Sequence, residues 1–481
     1  MMTKVGLSMV AFILCFLSCC CCGVTSSGEP VAFRIVQRAG MTTLSLAVGA
    51  RRKRGVSLAH WSCPLPLVAT RRSRHDGGMQ NENDITYLAR LNFRNDRRVF
   101  GIRRRDRRSH IYLIGKTGVG KSTFLENMLR QDIANGEGLA LVDPHGDLIE
   151  QVRAEIPEHR QQDVIWFNVP DRNLTLGFNP LGAVPPEERP LAASDLLDVF
   201  KKIWADSWGP RLEHILRNVL LALLDQGNAT LADANRLLSD KLYRHDVALK
   251  ATSPAVRTFW LKEYEGYPDR FRAEAIAPLQ NKVGAFLVNP LLNRILTREN
   301  SLDLRNIMDS GKILLVNLAK GKVGEDTATL LGALLVAKLG RAALRRADMP
   351  EHERRDFHCY LDEFQTFATP SLANMLSELR KYRLNLVLAH QFLSQLHEDV
   401  RDSILGNVGT MIAFRVGLAD AEILEKEFHP EFNASDLVNL PNYSIAIKLM
   451  IDGAVSKGFS GETDQRSGVC GQHGRKPALL T

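Results

Sequence analysis

Cysteine is scarce outside one short stretch, and its spacing fits neither a metal site nor a disulfide framework. Five of the eight cysteines lie within residues 15–22, while Cys63, Cys359 and Cys470 stand alone. No CxxC pair outside the hydrophobic run and no cysteine–histidine spacing suggests zinc. A zinc module and a disulfide-stabilised secreted domain are therefore excluded, and the main body is typical of a reducing compartment.

The body of the chain also lacks an excess of positive charge. Residues 1–110 carry 19 Lys/Arg against 6 Asp/Glu, a net charge of +13, which leaves −5 for residues 111–481. With 481 residues, 45% apolar and 24% charged, the chain has room for two or three domains and a large core. Basic surface is expected in the N-terminal flank, and the high isoelectric point does not by itself indicate nucleic-acid binding.

A charge-free stretch of 24 residues, 5–28, is long enough to cross a bilayer. Arg34, Arg38 and the run RRKR at 51–54 follow it, and this positive charge would keep the remaining chain in the cytosol. We therefore predict a transmembrane segment within 1–28 that places the protein at the cytoplasmic membrane. A cleaved signal peptide and an incidental extension of a cytoplasmic protein are the alternatives.

From residue 84 onward, short apolar runs alternate with helical stretches. Buried strands separated by helices predict an α/β fold with a largely parallel sheet. Residues 29–83 have Ser, Gly, Pro and Arg clusters without a sustained period, which predicts a basic linker of low order, and 463–481 is expected to be a short flexible tail. The seven predicted strands are HIYLIG (110–115), GLALVD (138–143), VIWFNV (164–169), KILLVNL (312–318), FHCYLDE (357–363), NLVLAHQ (385–391) and TMIAFRV (410–416).

The alternation is interrupted between residues 186 and 300. Within this span, LEHILRNVLLALL places leucine, isoleucine and valine at the i, i+3, i+4 spacing of an amphipathic helix, and no convincing strand is nearby. We predict an all-α insertion that divides the α/β domain into a first part, 84–185, and a second part, 301–462.

The stretch GKTGVGKST matches the phosphate-binding pattern G-x-x-x-x-G-K-[ST], between a predicted strand and a predicted helix. Its glycines allow several N–H groups to face one anion, and the helix N-terminus adds partial positive charge. Lys121 would reach the β- and γ-phosphates of ATP, and Ser122 would hold Mg²⁺. The predicted nucleotide-binding residues are Gly115, Lys116, Thr117, Gly118, Val119, Gly120, Lys121, Ser122 and Thr123.

Two adjacent carboxylates end the predicted strand FHCYL. A phosphate loop needs a carboxylate at the tip of a neighbouring strand for the Mg²⁺ shell, and Asp362 fits that role. Glu363 is then the candidate general base for the attacking water. The alternative is a strand end that simply turns into solvent.

Other phosphate-loop classes fit less well. A GTPase would show Asn-Lys-x-Asp, but NKVG at 281–284 lacks the Asp, and the Ser-Gly-Gly-Gln signature of transporter ATPases is absent. Small-molecule kinases usually lack the paired base. The pattern favours a motor that hydrolyses ATP.

Two further features lie near the same predicted strands. His390 and Gln391 end the strand NLVLAH, where a side chain could touch the γ-phosphate or orient water, unless they only face solvent. Arg380, Lys381 and Arg383 form a basic run, which in a ring of subunits could supply an arginine to a neighbour's phosphates.

Together these motifs resemble the TraD/TraG-type coupling proteins of type IV secretion, within the FtsK/HerA group of ring-shaped DNA pumps. The resemblance spans residues 85–462 and rests on the stretches IGKTGVGKST, LVDPHGDL, WGPRLEHILRN, YLDEFQTF, ELRKYRLNLVLAHQ and FRVGLADAEIL. It implies a RecA-like motor with an all-α insertion, a homo-hexamer and ATP-driven DNA translocation. It also implies secretion machinery and relaxase-like cargo as partners.

By matching position, the resemblance makes Arg380 the arginine finger and assigns the ATPase roles to Lys121, Ser122, Asp362, Glu363 and Gln391. The roles of Asp143, His145 and Asp147 in DPHGD stay open. The chain offers one membrane-span candidate where the family commonly has two, and no C-terminal recognition domain is evident. The alternative function is a secretion or pilus-assembly ATPase that acts on protein substrates.

Overall fold

In the computed structural model, the described residues are 32–38, 41–47, 81–93, 96–182, 184–298 and 302–463. The chain divides into two compact units, Met1–Gly78 and Met79–Thr481. The predicted membrane segment within 1–28 and almost all of the predicted tail lie outside the described residues.

The first unit contains an antiparallel pair of strands, β1 (Ala32–Arg38) and β2 (Met41–Ala47). These strands fall within 29–83, the range predicted to be a linker of low order. The segments AFRIVQR and MTTLSLA contain the β-branched residues isoleucine, valine and threonine, which favour strands and were a usable signal for this pair.

The second unit is built on one sheet of eleven strands, in the order β4-β3-β15-β12-β11-β5-β10-β9-β6-β8-β7. A separate pair, β13 and β14, is antiparallel. The strands are β3 (Ile85–Leu91), β4 (Val99–Arg103), β5 (Ile111–Ile114), β6 (Gly138–Asp143), β7 (Val164–Asn168), β8 (Ile313–Asn317), β9 (Phe357–Leu361), β10 (Leu384–His390), β11 (Thr410–Ala413), β12 (Ser444–Lys448), β13 (Met450–Ile451), β14 (Ala454–Val455) and β15 (Phe459–Glu462).

The seven strands predicted from the sequence are all present, as β5 to β11, and they form the parallel part of the sheet. Six of them, β5, β6, β8, β9, β10 and β11, are buried along their whole length, as strands covered on both faces must be. The antiparallel part, made of β12, β15, β3 and β4, was not predicted and extends the sheet beyond β11.

Helices cover both faces of the sheet. The helices are α1 (Arg104–Arg107), α2 (Lys121–Ala134), α3 (Asp147–Ala154), α4 (Glu158–Gln161), α5 (Arg189–Ile203), α6 (Pro210–Leu224), α7 (Ala232–Ser239), α8 (Lys241–Lys250), α9 (Pro254–Thr258), α10 (Asp269–Val288), α11 (Pro290–Leu296), α12 (Leu304–Asp309), α13 (Lys320–Val323), α14 (Glu325–Leu344), α15 (Pro370–Leu379), α16 (Glu398–Asn407), α17 (Leu418–Phe428) and α18 (Ala434–Val438). A π-helical segment, Phe259–Tyr264, continues α9. Short 3₁₀ helices occur at Pro186–Glu188, Ala205–Ser207, Arg345–Asp348, Glu351–Glu353, Phe364–Thr366, Arg380–Tyr382 and Leu393–Gln395.

Two apolar cores result, one on each face of the sheet. Helices α2 and α3 cover one face through residues such as Phe124, Leu129 and Ile149. Helices α14 and α15 cover the other face, where Leu331 and Leu376 belong to a core that continues into the helices between β7 and β8. The described residues between those two strands contain helices and no regular strand.

Among the described residues, one helical stretch, Glu325–Asp348, is long and apolar enough to cross a membrane. However, 78% of its most apolar window is buried inside the protein. We interpret it as a core helix, because burial against the sheet accounts for its composition.

Candidate functional site

The predicted site residues follow the carboxyl ends of neighbouring parallel strands. The phosphate loop follows β5, which lies between β10 and β11, and Asp362 and Glu363 follow β9 on the other side of β10. Asp143 ends β6, the strand beside β9. Because carboxyl ends of parallel strands meet at one edge, the topology gathers these residues into one site.

The phosphate loop has the backbone conformation that its glycines allow. Gly118 and Gly120 have φ angles of 77° and 114°, a left-handed backbone conformation that is strained for any residue with a side chain. A Cβ on Gly120 would also lie 2.8 Å from the ring of Tyr443. From there Lys121 begins helix α2, so the loop turns directly into a helix N-terminus that favours phosphate.

Lys121 is buried at the start of α2, and its ammonium faces the loop. Its Nζ donates hydrogen bonds to the carbonyl oxygens of Gly115, at 2.5 Å, and Lys116, at 3.0 Å. Burial lowers the pKa of Lys121, against the raising effect of the Glu363 and Asp362 carboxylates. The positive charge therefore lies between the phosphate loop and the two acids.

Asp362 and Glu363 are both buried, each only 7% exposed. Burial, together with the carboxylates of Asp143 and Glu363, raises the pKa of Asp362 to about 7, while Lys121 acts in the opposite direction. A buried carboxylate among like charges is stabilised by a cation. The strand-end alternative, in which both acids simply face water, does not match this burial.

Two glutamine amides hold the carboxylate of Glu363. Gln391 Nε2 donates to Oε1 at 2.5 Å, and Gln365 Nε2 donates to Oε2 at 2.7 Å. The oxygen of the Gln391 amide accepts a hydrogen bond from the Thr117 hydroxyl at 2.9 Å. Gln391 therefore connects the phosphate loop with the candidate base, as its place at the end of β10 predicts.

His390, the residue before Gln391, is buried beneath the site. Its Nε2 forms a hydrogen bond with the hydroxyl of Tyr112, and its main-chain oxygen accepts from the N–H of Gly115 at 3.3 Å. Burial lowers the pKa of His390 to about 3, and the charge of Lys121 acts in the same direction. A neutral histidine that faces the core supports the loop and does not face solvent.

Asp143, the first acid of the DPHGD stretch, has a structural role. Asp143 accepts hydrogen bonds from the main-chain N–H groups of His145, at 2.8 Å, and Ile149, at 3.1 Å, and so fixes the entry into α3. Gly146 has a φ of 95°, and a Cβ there would lie 2.7 Å from Asn317 Oδ1. His145 and Asp147 are exposed.

Arg380 is the predicted residue that the structure does not bring to the site. It is exposed and precedes β10, at the amino ends of the parallel strands, whereas the phosphate loop lies at their carboxyl ends. Within one chain it does not reach the phosphate loop, so any role in hydrolysis requires a neighbouring subunit.

Three contributors to this edge were not predicted from the sequence. Gln365 contacts the candidate base, Tyr443 packs on Gly120, and Lys202 of helix α5 donates hydrogen bonds to the loop after Glu363. The spacing of Gln365, two residues after Glu363, was a usable signal. Lys202 and Tyr443 come from distant parts of the chain and no local pattern marks them.

The residues at this edge are suited to bind a nucleoside triphosphate together with Mg²⁺. The carboxylate of Asp362 is buried and accepts a hydrogen bond from the N–H of Glu363 at 3.1 Å. Ser122 is exposed beside the loop and has a hydroxyl of the type that binds Mg²⁺. Oxygen donors of this kind are the ones that Mg²⁺ prefers.

The fold and this edge define a RecA-like P-loop nucleotide-binding protein. The family model for the type IV secretion-system coupling protein DNA-binding domain matches residues 99–427, which is 329 of the 481 residues. The chain belongs to this family, and the resemblance found in the sequence is confirmed. No curated protein sequence matches it.

Solved structures show the same fold. The plasmid coupling protein TrwB, in complex with the ATP analogue ADPNP, superposes with a TM-score of 0.58 at 16% identity, over 81% of this chain and 91% of that one. TrwB with ADP and Mg²⁺ gives 0.55 at 16% identity, over 76% and 88%. VirB4 of Thermoanaerobacter pseudethanolicus gives 0.55 at 14% identity, over 81% and 98%. The prediction of a RecA-like fold is confirmed.

Proposed function

We propose that the protein is an ATPase that moves DNA in conjugative transfer. The observation that carries the proposal is the joining of a P-loop and a buried acid pair at one sheet edge, in a chain that belongs to a family of DNA-binding coupling proteins. The complexes of TrwB with ADPNP and with ADP and Mg²⁺ support ATP as substrate and Mg²⁺ as cofactor.

The reaction is hydrolysis of the terminal phosphoryl group. The oxygen of water attacks the γ-phosphorus, the bond from that phosphorus to the bridging oxygen breaks, and ADP and phosphate result. Glu363 accepts a proton from the attacking water. Gln391 and Gln365 fix its carboxylate, and Lys121 places positive charge beside the β- and γ-phosphates.

Ser122 and Asp362 would hold Mg²⁺, which supplies positive charge against the phosphate oxygens. Main-chain N–H groups of the loop Gly115–Thr123 would face the phosphates. These residue roles are our proposal, as is the role of Arg380 as a finger that acts on the neighbouring subunit of a homo-hexamer.

The arrangement in the cell is also part of the proposal. A motor of 84–185 and 301–462, interrupted by an all-α insertion at 186–300, would work in the cytosol at the cytoplasmic membrane. Membrane secretion machinery and relaxase-like cargo would be its partners. The alternative of a cytoplasmic protein predicts that the full chain stays in the supernatant when membranes are sedimented.

The direct test is the ATPase rate of the full chain with single-stranded DNA, with double-stranded DNA and without DNA. We expect DNA to stimulate hydrolysis, the stimulation to weaken steeply with salt because phosphate contacts release counterions, and Lys121→Ala to abolish turnover. Lys322→Ala is the control, because Lys322 is exposed and forms no ion pair among the residues that the structure describes. Hydrolysis indifferent to both DNA forms would favour the alternative, a secretion or pilus-assembly ATPase acting on protein.

A further inference from the structure

Helices α5 to α11, residues 189–296, form the all-α segment. Helix α5 contacts the loop that follows the candidate base Glu363. Lys202 Nζ donates hydrogen bonds to the main-chain oxygens of Gln365, at 2.6 Å, and Ala368, at 2.8 Å. These two carbonyl groups belong to the turn directly after Glu363. One lysine from a distant part of the chain therefore holds both ends of that turn.

The same turn carries the side chain that touches the base. The Gln365 amide donates to Glu363 Oε2 at 2.7 Å, while Lys202 binds the main chain of the same residue. A shift of α5 moves the main chain of Gln365, and the amide moves with it. The path from helix to carboxylate thus consists of two hydrogen bonds through one residue.

One face of helix α5 contacts helices α14 and α15, which cover the sheet, and the opposite face packs inside the all-α segment. Asp195 pairs with Arg341 of α14, and Asp198 accepts a hydrogen bond from Ser371 at the start of α15. With Lys202 these residues recur at about one helical turn, so they share a face toward the sheet.

The other face of α5 is fixed in the core of the all-α segment. Phe200 stacks on Trp204 with ring centroids 4.7 Å apart, and Trp204 stacks on Phe286 of α10 at 5.8 Å. Aromatic pairs of this kind add about 0.5–1.5 kcal/mol each beyond the area they bury, so they couple α5 to the rest of its segment. A displacement of the segment is therefore carried to the turn after Glu363.

We propose that Lys202 is a positioning residue for ATP hydrolysis, which ties the all-α segment to the base Glu363 through Gln365. The inference rests on the proposed function, because it takes Glu363 as the base.

The chain offers a matched control. Lys338 of α14 is also partly buried and donates to two main-chain oxygens, those of Asn179 at 2.8 Å and Gly182 at 3.0 Å. Burial lowers the pKa of both lysines to about 8. Lys338 holds the loop at Asn179 and Gly182, whose described residues carry no side chain bonded to Glu363. Replacing Lys338 therefore removes the same kind of hydrogen bond without disturbing the link to the base.

The experiment measures kcat, ATP affinity and the urea midpoint of the full-length protein for Lys202→Met, Lys338→Met, Lys202→Arg and Gln365→Leu. We expect Lys202→Met and Gln365→Leu to lower kcat by about ten- to a hundredfold with ATP affinity unchanged, because a base displaced by a fraction of an ångström loses alignment. Lys338→Met should shift the urea midpoint comparably and leave kcat alone. Lys202→Arg should restore much of the rate.

Two double variants complete the test. The double variant Lys202→Met/Gln365→Leu should have the same kcat as the slower single variant, because both substitutions remove the same link between α5 and Glu363. In the Glu363→Gln background, Lys202→Met should change nothing. If Glu363→Gln retains normal turnover, the base assignment and this inference both fail; if it stalls while Lys202→Met and Lys338→Met have equal kcat, this inference alone is overturned.

Discussion

At the scale of single residues, Asp362 and Glu363 are neighbours in the sequence but differ in surroundings. Glu363 has a left-handed backbone, with φ of 48°, so the chain leaves the line of β9 between the two acids. The carboxylate of Glu363 is held by two amides, whereas Asp362 lies near the carboxylates of Asp143 and Glu363. The structure thus gives the two carboxylates different surroundings: that of Asp362 lies among like charges, and that of Glu363 is held in a fixed orientation by amide donors.

This difference predicts that substitutions of the two acids impair different steps, nucleotide binding in one case and hydrolysis in the other. Glu363→Gln should retain Mg-ATP and slow hydrolysis by about 10²- to 10⁴-fold, because only proton acceptance is lost. Asp362→Ala should weaken Mg²⁺-dependent nucleotide binding itself. Equilibrium binding of a fluorescent ATP analogue, with single-turnover hydrolysis, separates the two effects. Glu378→Gln, an exposed acid on α15, is the control; wild-type turnover in both site variants would mean that the pair is only a strand end.

A second residue-scale prediction concerns His110, which is buried and neutral. Its Nδ1 accepts from the N–H of Leu386 at 3.1 Å, and its Nε2 lies 2.9 Å from the oxygen of Leu376, which can only accept. Burial lowers the pKa of His110 to about 4, and Arg380 acts in the same direction, against the Leu376 bond. Protonation therefore favours the unfolded chain, whose histidine has a pKa of about 6.5.

The stabilising contribution of neutral His110 is complete above pH 6.5 and is lost as the pH falls toward 4. In that window the free energy of unfolding should fall by up to about 1.4 kcal/mol per pH unit on account of this residue. Urea midpoints of wild type and His110→Gln, compared from pH 7 to 4.5, measure it, with exposed His352→Gln as control. Parallel curves for wild type and His110→Gln would rule out a buried neutral His110.

At the scale of elements, the parallel strands could be predicted and the antiparallel ones could not. Strands β5 to β11 are continuous apolar runs followed by helices, a signal that is local and strong. Strands β3 and β4 carry arginine, and β15 reads FSGE, because one-sided or edge positions need no continuous apolar run. The pairing of β3 with β15 also joins residues more than 350 positions apart in the sequence, such as Arg90 and Glu462.

A buried ion pair ties the antiparallel part to the parallel part. Arg107 of α1 binds both carboxylate oxygens of Asp132 in α2, at 2.6 and 2.9 Å. It also donates to Thr86 of β3 and Tyr360 of β9, each at 2.9 Å. Burial opposes the charge of Asp132, yet Arg107 holds the pKa of Asp132 below its usual value.

Removal of Arg107 should therefore be costly. Arg107→Met leaves Asp132 buried without its cation and should lower the free energy of unfolding by about 3–5 kcal/mol. Arg98→Met, which removes an exposed pair with Asp96, should change it by less than about 1 kcal/mol. Urea unfolding of the full chain reports both; equal midpoints for the two variants would show that the buried pair does not secure this part of the sheet.

At the scale of the whole molecule, the local motifs of the site could be predicted but not its long-range supports. The phosphate loop, Asp362, Glu363 and Gln391 each follow an apolar run, so the fold rule for parallel strands gathers them. Lys202 is 163 residues from Gln365 in the sequence, and nothing around it distinguishes it from a solvent-facing lysine. Such a contact depends on how a helix outside the α/β repeat docks, which no pattern in one sequence specifies.

The place of β5 between β10 and β11 has a consequence for how the protein is made. Tyr112 of β5 and His390 of β10 touch although they are 278 residues apart. On the ribosome, the strand before the phosphate loop emerges long before either neighbour and stays without a sheet partner until β10 has been synthesised. Nascent chains shorter than about 384 residues lack both neighbours of β5, so we expect chaperones to bind this apolar strand until late in synthesis.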